Sequence, residues 1–393
     1  MRVLFVSQYY SPEPFLISEI TEELVRRGHE VTVLTGLPNY PSGVVAEEYK
    51  DKKRRRETIG GVEIIRAPII PRGKNKIKLF INYFSFMRSA NRVGKKLGGD
   101  FDLVISYELT PIFQVSPAVK IAKRLGIKIL MYNLDLAPMA GSGIVGKLPG
   151  FSGYYKRFSK WAMNACDLVA VSSPSFIEYN HSVNGVPVEK MVYLPQHASD
   201  FMLGENMETK DNGVADFMFA GNIAGGTGLD TIVEAAALLR GEENFRIHMV
   251  GDGSYLETLK EKVKNASLED YFIFYGRHPM KEMPNLYRQA DALLITLRPG
   301  QITIPAKLQN YMTTGKPIFG AMDGSGKDLI AEAGCGICVG AGDSQGLYKN
   351  MKDYIRNPQK FASCGKAGRD YFREHFTLKH HVDKLLELAE KLV

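Results

Sequence analysis

Short apolar runs alternate with amphipathic stretches along most of this chain. Val3-Leu4-Phe5-Val6 predicts a strand. From Ser18 to Arg27, Ile20, Leu24 and Val25 recur at helical spacing, and Gly28 ends the pattern. Val31-Thr32-Val33-Leu34 predicts the next strand, completing a βαβ unit. The alternation continues with strands expected at Val62–Arg66, Leu103–Ser106, Lys128–Met131 and Leu168–Val171, and a helix at Pro117–Leu125. Residues 200 to 213, DFMLGENMETKDNG, are polar and contain two glycines, which predicts a linker. A second series follows at Phe217–Ala220, Arg246–Val250, Phe272–Tyr275, Ala292–Ile295, Pro317–Gly320 and Gly336–Val339. Pro358 to Val393 reads as two helices broken near Phe376-Thr377. Apolar strands separated by helices imply parallel sheets covered on both faces. The expected fold class is therefore α/β, with two Rossmann-like doubly wound domains, 1–200 and 214–377.

The 393 residues suit two domains. The four cysteines, Cys166, Cys335, Cys338 and Cys364, form no disulfide framework. Cys335 and Cys338 spell C-x-x-C but are expected as small apolar residues near a strand, and a reducing, cytoplasmic setting follows. Met1-Arg2 leads directly into a strand rather than a secretory leader, and no apolar run reaches the ~20 residues of a membrane span. Charge is unevenly spread. Residues 1–200 hold 27 Lys+Arg against 18 Asp+Glu, whereas the remainder holds 23 against 25. The basic excess lies between Lys50 and Lys96, which suits either a polyanionic partner or a solvated face.

In open α/β sheets, ligands bind beyond the C-terminal strand ends, where turns feed helices. Four such turns carry candidate chemistry. GNIAGGTG, 221 to 228, is rich enough in glycine for close approach of a ligand, yet it is neither a P-loop nor a dinucleotide fingerprint. GDGS, 251 to 254, is a second glycine turn. Arg277 and His278 follow the strand Phe272–Tyr275, where Arg277 suits a phosphate or a base pocket. The fourth is IPAKLQNYM. A helix starts at Pro305 with Lys307 in its first turn and no acidic residue there, an arrangement suited to an anion. Asp100 and Asp102 spell D-x-D but precede a strand, at the wrong end of the sheet, and no metal is predicted. His380 and His381, on the terminal helices, are expected in solvent.

RGHEVTVLTGLPNYPSG, CDLVAVSSPSF, the glycine-rich turn of the second domain, VGDG and TIPAKLQNYMTTGKPI together make this sequence resemble retaining GT-B glycosyltransferases of family 4 over essentially its whole length. GLPNYP, YLPQHASDF and IPAKLQNYM look most like bacterial O-antigen and capsule enzymes, including those that transfer N-acetyl-L-fucosamine. The resemblance implies two domains facing a cleft, a C-terminal helix at about 378–393 crossing back to the first domain, and a metal-independent reaction without a cofactor. It places a nucleotide sugar, a UDP donor, in the second domain. Gly221, Asn222, Thr303, Ile304 and Lys307 would lie at the diphosphate, Arg277 and His278 would flank the base, and Gly251 and Gly253 would also belong to the donor site. The family's paired glutamates are replaced by Ile302 and Asn310, leaving Gln309 or Asn310 for the ribose, and Gly225 stands where the loop lysine is usual.

On the acceptor side the carboxylates available to orient or deprotonate a hydroxyl are Glu13 and Asp135. The acceptor implied is a saccharide on undecaprenyl diphosphate. The basic segment 71 to 96, with Arg72, Lys74, Lys76 and Lys78 beside Phe80 and Phe84, then suits peripheral docking on an anionic membrane. No nucleic-acid fold accompanies it. Two other readings remain open: a nucleotide-sugar 2-epimerase, which turns over its donor alone, and a non-catalytic scaffold.

Overall fold

The computed structural model describes residues 1–51, 53–73, 76–137, 151–209 and 212–393, with the side chains of Lys76 and Phe151 also outside the description. The chain divides into two units, Met1–Pro195 with Leu378–Val393, and Gln196–Thr377. Each is built on a Rossmann-like parallel sheet, as the alternating pattern predicts.

Unit 1 holds β1 (Arg2–Val6), β2 (Glu30–Gly36), β3 (Arg56–Ile59), β4 (Val62–Ala67), β5 (Leu103–Glu108), β6 (Lys128–Asn133), β7 (Leu168–Val171) and β8 (Met191–Tyr193). Their order is β3-β4-β2-β1-β5-β6-β7-β8. Among the described strands of this unit β3 alone runs antiparallel, paired with β4 in a hairpin that the sequence pattern missed because β3 is short and carries the polar residues Arg56, Glu57 and Thr58. The order reverses direction between β1 and β5, so a ligand crevice is expected beyond the C-terminal ends of those two strands. The helix Leu378–Glu390 packs on this unit through Val382, Leu385 and Ala389, and Arg27 pairs with Asp383 at 2.5 Å. His381 is a correction to the sequence reading. It is fully buried, with Nδ1 at 2.7 Å from the Pro195 carbonyl, because it lies on the inward face of that helix.

Unit 2 holds β9 (Ala215–Ala220), β10 (Phe245–Val250), β11 (Phe272–Gly276), β12 (Ala292–Thr296), β13 (Ile318–Ala321) and β14 (Gly336–Val339), in the order β11-β10-β9-β12-β13-β14. Its reversal lies between β9 and β12. The stretch read as a linker is anchored instead. Met202 and Met207 are buried in the core of this unit, an apolar content that the polar residues around them conceal.

Candidate functional site

In unit 2 the turns that follow β9 and β10 are zipped together. Gly221 N–H donates to the Val250 carbonyl (2.9 Å), Ile223 N–H to Asp252 (2.9 Å) and Tyr255 N–H to Ile223 (3.0 Å). Gly251 N–H in turn donates to Gly276 at the end of β11 (2.8 Å). On the other side Arg298 N–H donates to the Gly226 carbonyl (3.2 Å), and Thr296 Oγ1 donates to Thr227 (2.6 Å). The glycine-rich turn is thereby fixed to its neighbours on both flanks, across the point where the strand order reverses.

Beside it starts the helix Ala306–Thr314, capped by Pro305 in an extended conformation. Tyr311 locks this helix to β9, its hydroxyl donating to the Ala220 carbonyl (3.0 Å) and accepting from the Ala220 N–H (2.7 Å). Lys307 is one turn earlier on the same face. Its stem is half-exposed, but its ammonium nitrogen is buried and makes no hydrogen bond to any described residue. The ammonium sits 4.0 Å over the Phe219 ring, and a Cβ added to Gly221 would lie 3.2 Å from it. Burial without a compensating carboxylate pulls its pKa down to about 7. An uncompensated cation of this kind, beside the N-terminal amides of its helix, is arranged to receive an anion. Tyr311 was not singled out from the sequence, although its position four residues after Lys307 carries the signal.

The other residues expected around a donor are divided. Thr303 and Ile304 lie in the segment leading into the helix, both half-buried. Asn222 is exposed beside Gly253. Gln309 is buried and its amide donates to the Gln196 carbonyl (2.8 Å), so it serves the packing of its own unit, while Asn310 remains half-exposed. Arg277 is exposed, and His278 pairs with Glu282 at 2.8 Å within its own turn.

In unit 1, Glu13 is buried. Its Oε1 accepts from the backbone N–H groups of Asn39 (2.8 Å) and Tyr40 (2.7 Å), and Oε2 accepts from Tyr10 N–H (3.4 Å). Burial raises its pKa, opposed by those amides. The side chain therefore organises the turn after β2, and that engagement leaves little of it for proton transfer. Asp135 is more open. Its Oδ2 accepts from Thr110 N–H (2.7 Å), fixing the turn after β6 to the turn after β5. Beneath it lies Glu108, which the sequence reading passed over. It is fully buried, accepts from Asn133 Nδ2 (2.7 Å), and is held well above the usual carboxylate range by burial and by the nearby Asp135. Asn133 also donates to the Asp135 carbonyl (2.7 Å), so this buried pair supports the Asp135 turn.

The basic segment is only partly as expected. Lys74 lies outside the described residues, as does the side chain of Lys76. Lys78 is exposed on the helix Lys76–Lys96. Phe80 and Phe84 are half-buried rather than outward, because Phe84 packs on Phe113 (4.6 Å between ring centres). Phe113 in turn meets Phe158 (4.8 Å), and Phe158 meets Trp161 (5.2 Å). This ring chain joins the helix Lys76–Lys96 to the helix Phe151–Asn164. Ile77, Ile81, Tyr154 and Trp161 are exposed along it, accompanied by exposed Lys156, Arg157 and Lys160. Arg72 does not belong to that face. Its backbone N–H donates to Asn39 Oδ1 (2.9 Å), and its guanidinium lies 4.9 Å over the Tyr40 ring. No helix among the described residues is long and apolar enough to cross a membrane. Among them no group of three or more His, Cys, Asp or Glu is placed to hold a metal, and Asp100 and Asp102 instead flank Arg2 at the N-terminal end of β1.

Residues 16–196 match the model "Glycosyltransferase Family 4", and residues 205–371 match "Glycosyl transferases group 1". The Escherichia coli K12 protein WcaI, named as a colanic acid biosynthesis glycosyl transferase, is 26% identical over 345 residues, covering 80% of this chain and 82% of its own length. Among solved structures, sucrose-phosphate synthase from Thermosynechococcus elongatus superposes with a TM-score of 0.76 at 15% identity, covering 100% of this chain and 98% of that one. Anabaena Alr3699/HepE, solved in complex with UDP, superposes with a TM-score of 0.73 at 14% identity over 100% of both chains.

Proposed function

Because residues 16–196 and 205–371 match the models for glycosyltransferases of family 4 and of group 1, we propose that the chain is a retaining enzyme that moves an N-acetylated amino sugar from a UDP donor to an undecaprenyl-diphosphate-linked acceptor in O-antigen, capsule or exopolysaccharide synthesis. The observation that carries the donor side is the buried ammonium of Lys307, unpartnered among the described residues, beside the glycine turns. A diphosphate supplies the missing counter-charge, and stabilising that leaving group is the main electrostatic demand of the reaction. Asp135 orients the acceptor hydroxyl or takes its proton. The relative named for colanic acid biosynthesis, and the neighbour solved with UDP, support the polymer context and the choice of base.

The test is a thermal-shift panel of UDP, GDP, dTDP and their sugars. UDP and a UDP-N-acetylamino sugar should raise the melting temperature most. A larger shift with GDP or dTDP would reassign the base, and no shift with any of them would leave a scaffold as the better reading. A donor isomerised without any acceptor would identify an epimerase.

The reaction needs no metal in this reading, since a lysine and helix-terminal amides serve the phosphates. Transfer should continue in excess EDTA. Activity abolished by EDTA and restored by magnesium or manganese would overturn that.

The exposed apolar and basic residues of Lys76–Lys96 and Phe151–Asn164 dock the enzyme on an anionic bilayer. Each cation near such a surface contributes roughly 1 kcal/mol, fading within a Debye length. Changing Lys156, Arg157 and Lys160 to Glu should release the protein from vesicles containing phosphatidylglycerol, with UDP binding unaltered. Co-sedimentation equal to the parent's would reduce the patch to a solvated face.

A further inference from the structure

Beyond the C-terminal ends of β1 and β2, unit 1 builds a wall of aromatic rings. Tyr9 stacks on Phe15 with ring centres 4.9 Å apart, Phe15 meets Tyr40 at 5.2 Å, and Tyr9 meets Tyr40 edge-on at 6.1 Å. Tyr9 is buried, Phe15 is half-buried and Tyr40 is 39% exposed, so the wall ends in an accessible ring. Arg72 lies over that ring. The assembly is rigidly held. Glu13 grips the Asn39 and Tyr40 amides, the buried Asn39 side chain accepts from the Arg72 backbone, and Asn82 Nδ2 also reaches Asn39 Oδ1 (3.4 Å).

The guanidinium of Arg72 has no carboxylate partner among the described residues. Glu13, a buried carboxylate of this framework, is already engaged by three backbone amides. Tyr9 and Tyr83, both within electrostatic range of Arg72, are phenols pushed above their ordinary range by burial and therefore uncharged at neutral pH. A planar cation fixed in position, with its fork of N–H donors unpaired among the described residues, is suited to bidentate binding of a phosphate. The adjacent aromatic faces suit the C–H face of a pyranose ring, which is apolar where its axial hydrogens lie.

We infer that unit 1 carries a sugar-phosphate subsite, in which Arg72 grips a phosphate and the Tyr40–Phe15 wall supports the adjoining pyranose. The inference rests on the reading that unit 1 takes the acceptor, and it adds which residues would hold the phosphate and the adjoining sugar ring of that acceptor. The phosphate can come from a lipid-diphosphate-linked sugar or from a free sugar phosphate.

The test uses the full chain saturated with UDP, so that the site in unit 2 does not compete for the probes. Three probes are titrated: N-acetylglucosamine 1-phosphate, N-acetylglucosaminyl farnesyl diphosphate and the uncharged octyl N-acetylglucosaminide. Both phosphorylated probes, or the farnesyl one alone, should bind more tightly than the uncharged glycoside. Arg72→Gln should weaken the phosphorylated probes tenfold or more and leave the uncharged one within about twofold. Tyr40→Leu should weaken every probe that binds. Preference for the farnesyl compound assigns the phosphate to a lipid-linked acceptor, and equal binding assigns it to sugar phosphates generally. The inference is overturned if Arg72→Gln binds the phosphorylated probes like the parent, if the parent prefers the uncharged glycoside, or if it binds none of the three. UDP affinity, measured first, reports separately on the donor reading, and its retention in both variants shows that they are folded.

Discussion

Lys307→Met should lower UDP affinity by about 1.5–3 kcal/mol, roughly ten- to hundredfold, while leaving the unliganded protein at least as resistant to heat. The two effects have opposite signs for one reason. A buried ammonium without a described partner opposes folding and favours an incoming anion, and methionine removes both while keeping the stem against Phe219. The pH dependence follows from the same depressed pKa of about 7. Diphosphate binding favours the charged lysine and raises its pKa, so binding takes up a proton wherever the free lysine is neutral. Affinity is therefore greatest below that pKa and falls as pH rises through it. Between pH 7 and 9, where the terminal phosphate of UDP is already largely ionised, the parent should lose affinity steadily and Lys307→Met should not. Calorimetry in buffers of different ionisation enthalpy would count the proton. A flat parental profile with no proton uptake, or unchanged UDP affinity in the variant, would remove the anion site from this helix.

Gly251→Ala should destabilise unit 2 by roughly 1–3 kcal/mol and abolish most nucleotide binding. Its φ is +141°, and a Cβ there would lie 1.9 Å from the Gly221 carbonyl oxygen, so the two interlocked turns must separate to admit it. Gly225→Ala is the control within the adjoining turn. A Cβ at that position meets nothing within 4 Å, and its effect on stability should stay within about 0.5 kcal/mol. Urea unfolding of the two variants, read alongside UDP titration, decides the matter. Equal stability of both would mean that the turns are not coupled as the geometry requires.

That contrast also marks the limit of what the sequence discloses. Both sheets are largely legible because most of their strands are compact apolar runs bounded by turns, and period is a local property; β3, which alternates exposed and half-buried positions, is not. The glycine-rich turn is legible as a place, but not in its parts. Gly228 is required by packing, a Cβ there falling 2.7 Å from the Leu297 carbonyl, whereas Gly225 and Gly226 face open space. These roles depend on a strand some seventy residues away. Glu13 looks like a base and is a clamp on three backbone amides, two of them in the turn after β2, which returns to it. Glu108 looks like one more polar residue at a strand end, and only the sheet reveals that it is sealed beneath Asp135. Arg72, read with a run of cations, is withdrawn from them by one backbone hydrogen bond to Asn39. Periodicity announces which residues are covered; it carries no information on which distant groups answer a buried polar atom.

The return of Leu378–Glu390 to the first unit bears on how the chain comes off the ribosome. Unit 2 is complete once Thr377 has been made, yet the core around Ile17, Leu24 and Val31 still lacks Val382, Leu385 and Ala389. The first unit therefore cannot complete its core until Leu378–Glu390 has been made, after the whole of the second. During that interval the nascent first unit exposes the apolar strip that the last helix will cover, the kind of surface that chaperones recognise.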